Sequence, residues 1–176
     1  MSDVDPKKTI KLKEICRLLD VKERQASYVM ERGFVPKRIH ESPDRGNHRC
    51  FHPGDAFWLG LVLKLKEHGI QMSLAAAIAD LSNLALRGIT QNLGLDWRFL
   101  PTLGRFDTEH EYFLEVGDMK FFRLATDAYP SQSGLYFTDW NRVRGSKKSP
   151  RDISPLVTIR FDLRKLASLL KDANWE

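Results

Sequence analysis

The sequence predicts an α+β fold built in two parts, and three observations carry that expectation. Apolar residues recur at helical spacing up to about residue 87. Beyond Gly88 the texture changes to aromatic-rich, alternating segments punctuated by glycine, the pattern of short strands. At the end of the chain, DLRKLASLLKDA returns to helical spacing. The expected domains are a mainly helical 1–87 and a small mixed α+β domain over 88–176. With 176 residues and 42% hydrophobic content, the chain can bury one core or two small ones.

Leu12, Ile15, Cys16 and Leu19 form one apolar side of a first helix, with Lys11, Lys13, Glu14 and Arg17 opposite. Asp20 tolerates turn geometry and interrupts it, and Val21 supplies an apolar anchor. A second short helix follows through Ala26, Val29 and Met30 and ends at Gly33. It turns Lys22, Arg24, Gln25, Ser27 and Tyr28 outward. The stretch FVPKRIHESPDRGNHRCF, with Pro36, Pro43 and Gly46, reads as two extended pieces around a polar loop, a wing. Pro53-Gly54-Asp55 then starts a helix with Phe57, Trp58, Leu61, Val62 and Leu65 as its apolar stripe, stopped by His68-Gly69. A further helical pattern runs from Ser73 through Leu74, Ile78, Leu81 and Leu84 to Arg87-Gly88.

In the second half, Tyr112-Phe113-Leu114 and Phe121-Phe122 flank Gly117-Asp118, a hairpin signal. GLYFTDW and LVTIRFDL read as further strands, and Leu163, Leu166, Leu169 and Leu170 mark a closing amphipathic helix.

The formal charge of +5 and a sequence pI near 9.3 point toward a polyanionic partner. Two cysteines, Cys16 and Cys50, in a charged context fit a reducing compartment and no disulfide. MSDVDPKK lacks an apolar signal region, and no run of eighteen apolar residues occurs. A cytoplasmic protein with no membrane association is expected.

The order helix, turn, helix, wing, helix, helix carries a resemblance. LKEICRLLDVKERQASYVMERGFVP, with Leu12, Glu14, Ile15, Val21, Arg24, Tyr28, Gly33 and Pro36 at matching places, is similar to the helix-turn-helix of the MerR family of bacterial transcription regulators. HRCFHPGD resembles that family's wing ending, through Arg49, Phe51 and Asp55, and LKEHGIQMS its helix break. The chain departs from the pattern at Asp20, Ser27 and Val29, where the family has glycine, arginine and tyrosine. The resemblance covers about the first half. It implies a winged helix-turn-helix regulator that binds double-stranded DNA with its second helix in the major groove and its wing on the phosphate backbone. Members commonly dimerise through a long coiled-coil helix, which Gly88 and Gly94 would break here.

On that reading Arg24 and Gln25 specify sequence, since Arg pairs bidentately with guanine and Gln with adenine. Lys22, Tyr28, Lys37, Arg38, Arg45 and Arg49 contact phosphates and fix register. The alternative for the helix is a plain solvated face, and for Arg49 a surface ion pair with Glu41 or Asp44. His48, Cys50 and His52 alternate and could share one face of a strand, but a structural zinc wants four ligands and only His40 is nearby. No metal and no cofactor are expected. Cys16 reads as a small core residue.

NRVRGSKKSPR sets Arg142, Arg144, Lys147, Lys148 and Arg151 in a loop composed like a flexible basic arm, suited to nonspecific DNA contacts or merely solvated. Trp97, Phe99, Tyr112, Phe121, Tyr136 and Trp140 are core aromatics or the lining of a pocket for an unidentified effector, small molecule or protein. Glu109, His110, Glu111, Glu115 and Asp118 supply acid-base groups, yet no nucleophile elbow, phosphate loop or metal motif accompanies them, so no catalytic residue is assigned. An excisionase-like architectural protein uses a similar winged domain and is the competing reading. A homodimer is expected, its interface in the strands around Phe121, Tyr136 and Ile159 and in helix 163–172.

Overall fold

Strand β1 (Ile10–Lys11) leads directly into helix α1 (Leu12–Leu19), which buries Leu12, Ile15, Cys16 and Leu19 on one side. The computed structural model describes residues 7–35, 50–79, 112–119, 121–126, 136–137, 155–171 and 173–176. They form a mixed α+β protein with two small antiparallel sheets. The chain divides into two compact units, Met1–Asp107 with Leu166–Glu176, and Thr108–Lys165.

In the first unit, three helices end in the same way. After α1, Asp20 adopts φ 52° and ψ 47°; its N–H donates to Arg17 O and that of Val21 to Cys16 O, at 3.3 and 2.9 Å. After α2 (Glu23–Glu31), Gly33 (φ 69°) donates to Met30 O and Phe34 to Val29 O, both at 3.0 Å. After α3 (Pro53–Glu67), Gly69 (φ 86°) donates to Lys66 O and Ile70 to Leu65 O, at 3.0 and 3.1 Å. Each pair closes a left-handed cap over carbonyls that have no partner within the helix. Asp20 fills a place that glycine usually takes, which aspartate tolerates better than most residues.

α3 is buried on nearly every side: Pro53, Gly54, Ala56 to Val62, Leu63 and Leu65 are all inside. The expected single stripe is therefore too narrow a description, because α3 is surrounded by α1, α2 and strand β2 (Cys50–Phe51). β2 pairs antiparallel with β1 in the register Ile10 with Phe51 and Lys11 with Cys50. Residues 72–79 form a further helical stretch, with Ala75, Ala77, Ile78 and Ala79 buried. None of the described helices is long and apolar enough to cross a membrane.

The C-terminal end of the chain groups with the N-terminal residues. Leu166–Glu176 lies in the first unit, where a Cβ on Gly60 would sit 3.2 Å from Leu166 Cδ1 and 3.0 Å from Leu19 Cδ1. Without a side chain at Gly60, α3 approaches both leucines closely. The closing helix α4 (Leu163–Lys171) buries Leu163, Leu166 and Leu170, and only Leu169 of its leucines is exposed. Three of the four leucines on this helix are therefore covered within the chain itself.

The second unit is a four-stranded antiparallel sheet ordered β5-β4-β3-β6, with β3 (Tyr112–Gly117), β4 (Phe121–Thr126), β5 (Tyr136–Phe137) and β6 (Thr158–Asp162). β3 and β4 form the expected hairpin, in the register Gly117 with Phe121 through Tyr112 with Thr126. Asp118 and Met119 turn it with φ of 48° and 54°. β3 is central, and Leu114 and Val116 are fully buried. Glu115 is buried too, opposite Arg160, whose Nε lies 3.5 Å from Glu115 Oε1 and whose guanidinium stacks 3.6 Å from the centroid of Phe113. Leu156 and Val157, expected as strand residues, precede β6 and are exposed. The Asp118 carboxylate accepts their N–H groups at 3.2 and 2.9 Å.

Candidate nucleic-acid interface

α2 is anchored by Ala26, Val29 and Met30, whose burial fixes the direction in which the rest of the helix points. The Val29 position, a tyrosine in the family the sequence resembles, is fully buried and belongs to the core. On the other side, Lys22, Arg24 and Tyr28 are exposed, while Gln25 and Ser27 are partly buried. Lys22 is the residue before the first turn, in extended backbone, and its carbonyl accepts the N–H groups of Gln25 and Ala26 at 2.9 and 3.2 Å. Arg24 and Gln25 therefore occupy the first turn of α2.

Lys37, Arg38, Arg45 and Arg49, expected on the wing, lie outside the described residues, as do Arg142, Arg144, Lys147, Lys148 and Arg151. The strand that follows the wing segment is described: β2 pairs with β1, which leads into α1. Cys50 and His52 of the alternating trio are both exposed; His48 and His40 lie outside the described residues.

Two cations that the sequence reading did not name join Tyr28. The Arg32 guanidinium carbon lies 5.3 Å from the ring centroid, and Lys66 Nζ, contributed by α3, lies 6.0 Å from it. Arg24, Tyr28 and Arg32 follow one another at four-residue steps, a spacing that aligns them along one side of a helix and was readable in the sequence. Lys66 comes from another element, and nothing local in the sequence couples it to Tyr28.

Several cations of the unit are paired. Arg17 donates to both oxygens of Glu14 at 2.8 and 2.6 Å, and this hydrogen bonding holds the Glu14 carboxyl below its ordinary range. Lys64 donates to Glu67 at 2.7 Å, with the same effect on Glu67, and Lys11 pairs with Glu176 at 3.3 Å. Lys22, Arg24, Arg32 and Lys66 make no ion pair with any described residue, and all four sit on or beside the outward side of α2. Glu23 and Glu31, exposed at the two ends of α2, temper that charge, and Glu23 also favours the helix dipole from the first turn.

The Cys16 thiol, buried in α1, is pushed up to about 11, chiefly by loss of hydration and secondarily by the Glu23 charge. It is a packing residue without thiolate character.

No protein-family model, curated protein or solved structure matches the chain.

Proposed function

We propose that the protein is a sequence-specific DNA-binding transcription regulator of MerR-like type, with α2 in the major groove and the segment between residues 35 and 50 on the phosphate backbone. The observation that carries this reading is the division of α2. Ala26, Val29 and Met30 hold it rigidly to the core, while Arg24 and Tyr28 stand exposed beside cations that no carboxylate neutralises among the described residues. A recognition helix needs both properties, because base readout fails if the helix rocks and phosphate contact fails if its cations are already paired. Arg24 and Gln25 then read base edges from the first turn, and Lys22 and Tyr28 meet phosphates. Lys37, Arg38, Arg45 and Arg49 add backbone contacts, and the basic loop with Arg142, Arg144, Lys147, Lys148 and Arg151 adds nonspecific affinity. The active form in this reading is a cytoplasmic homodimer on double-stranded DNA, responsive to an unidentified small-molecule or protein effector.

Selection of bound duplexes from a random pool by the purified full-length chain tests the reading. Enrichment of a two-fold-symmetric motif with half-sites about one helical turn apart is the expected result. Recovery of no motif sinks it, and phased footprints without a motif favour an architectural protein instead.

A further inference from the structure

Tyr28, Arg32 and Lys66 form a cluster whose electrostatics are incomplete. The negative face of an aromatic ring attracts a cation, and here two cations attend one ring, at 5.3 and 6.0 Å from its centroid. They repel each other, and neither meets a carboxylate among the described residues. The contrast with the neighbouring Lys64 is informative: two positions before Lys66 on the same helix, it is tied to Glu67 at 2.7 Å. Tyr28 is 44% exposed, so the cluster opens to solvent. What would complete it is an anion with several acceptor oxygens, able to take the planar fork of an arginine and the point charge of a lysine together.

We propose that Arg32 and Lys66 clasp one backbone phosphate of duplex DNA over the Tyr28 ring, on the strand opposite to the one met by Lys22. This rests on the DNA-binding reading given above. Its geometric basis is the length of α2. From Lys22 to Arg32 the chain advances ten residues, about 15 Å at helical rise. The major groove is about 12 Å wide. A helix with unpaired cations at both ends therefore spans the groove from one phosphate ridge to the other. α3 strengthens the far end by adding Lys66, which gives the clasp two cations from two separate elements. Tyr28 serves as a platform that holds both cations at the groove edge, without entering the base stack.

The test is titration of a labelled random-sequence duplex at several NaCl concentrations with the full chain and with Arg32→Gln, Lys66→Gln and the double variant. Because both cations meet one phosphate, the slope of log K against log salt should become shallower by about 0.9 in the double variant and by less in each single variant. Lys66→Arg should keep the parent slope, and matching melting curves show that the variants fold. A double variant with the parent's affinity and slope overturns the clasp while leaving DNA binding intact. A parent protein that binds no duplex at any salt overturns the underlying reading itself. Inorganic phosphate distinguishes the other source of the same chemistry: if it raises the melting temperature of the parent, but not of the double variant, and no duplex binds, the cluster is a free-anion site and the proposal is wrong.

Discussion

Thr9 and Glu176 exchange two backbone hydrogen bonds, Thr9 N–H to Glu176 O at 2.9 Å and Glu176 N–H to Thr9 O at 3.0 Å. The two ends of the described chain thus meet in the first unit, immediately before the strand that leads into α1. Lys8 Nζ donates to Trp175 O at 3.3 Å, and the Trp175 indole N–H donates to Leu170 O at 2.9 Å, folding the tail back on its own helix. A fragment ending near Gly88 therefore lacks Leu166 and this closure. We expect it to be poorly folded alone and to gain helical circular dichroism when a peptide of residues 163–176 is added. A fragment that melts as cooperatively as the parent would show that the tail is dispensable.

At Gly60 the packing of α3 against Leu19 and Leu166 leaves almost no room, with contacts of 3.0 and 3.2 Å awaiting any Cβ. Gly60→Ala gains up to about 1 kcal/mol of helix propensity, which the crowding offsets. Gly60→Val adds two more carbons at the same place and should destabilise the unit by about 1–3 kcal/mol, through overpacking. Denaturant unfolding of the two variants measures the difference; equal midpoints would mean that both leucines can move aside.

How much of this was legible in the sequence differs by range. Asp20, Gly33 and Gly69 marked helix ends correctly, because a left-handed cap is a local property that a residue type announces. The hairpin turning at Asp118 was legible for the same reason. The return of the tail was not: the Thr9–Glu176 pair uses only backbone atoms, which leave no trace in residue identity. The leucines of α4 were correctly read as one apolar side, but spacing alone says only that a side is buried, not whether the chain itself or a second copy buries it. In the candidate interface, Arg24 and Tyr28 were legible from one helix's pattern, and Arg32 lay one further step along it. Lys66 was not, since its place beside Tyr28 follows from how α2 and α3 pack.

The two cysteines should behave differently. Cys50 is exposed and Cys16 is buried with its thiol held up to about 11. A thiol reagent should label one cysteine in the native protein and two in denaturant. For Cys16 the neutral thiol is favoured by folding, relative to its ordinary value of 9.0. As pH rises from about 9 to about 11 the unfolded thiol ionises first, so its contribution is complete below 9 and lost across that interval. Stability measured against pH should fall less steeply there in Cys16→Ala than in the parent; identical slopes would remove Cys16 as the cause.

Asp118 joins two parts of the sheet unit. Its own N–H donates to Val157 O at 2.8 Å, and its carboxylate accepts from Leu156 and Val157. Asp118→Ala removes both acceptors and places alanine at a φ of 48°, where aspartate is better tolerated. A loss of about 1–2 kcal/mol is expected, from hydrogen bonds of roughly 1 kcal/mol each that solvent partly replaces. The Asp118→Asn variant retains one acceptor oxygen and should lose less. Amide exchange at Leu156 and Val157 reports the effect directly, and unchanged protection in Asp118→Ala would show that these bonds do not hold the segment.

Specificity and affinity should separate along the first unit. Arg24 and Gln25 lie in the first turn of α2, whereas Arg49 belongs to the segment assigned to the backbone and lies outside the described residues. If α2 reads bases, Arg24→Ala and Gln25→Ala should relax the preference at individual positions of the selected motif, each costing about 1–3 kcal/mol of discrimination. Arg49→Ala should instead weaken all duplexes alike and flatten the salt dependence, because a phosphate contact carries no sequence information. Competition between the selected motif and random duplex, repeated at two salt concentrations for each variant, separates the two effects. Loss of discrimination in Arg49→Ala, with Arg24→Ala and Gln25→Ala keeping the parent's preference, would reverse the assignment and place sequence reading in the wing.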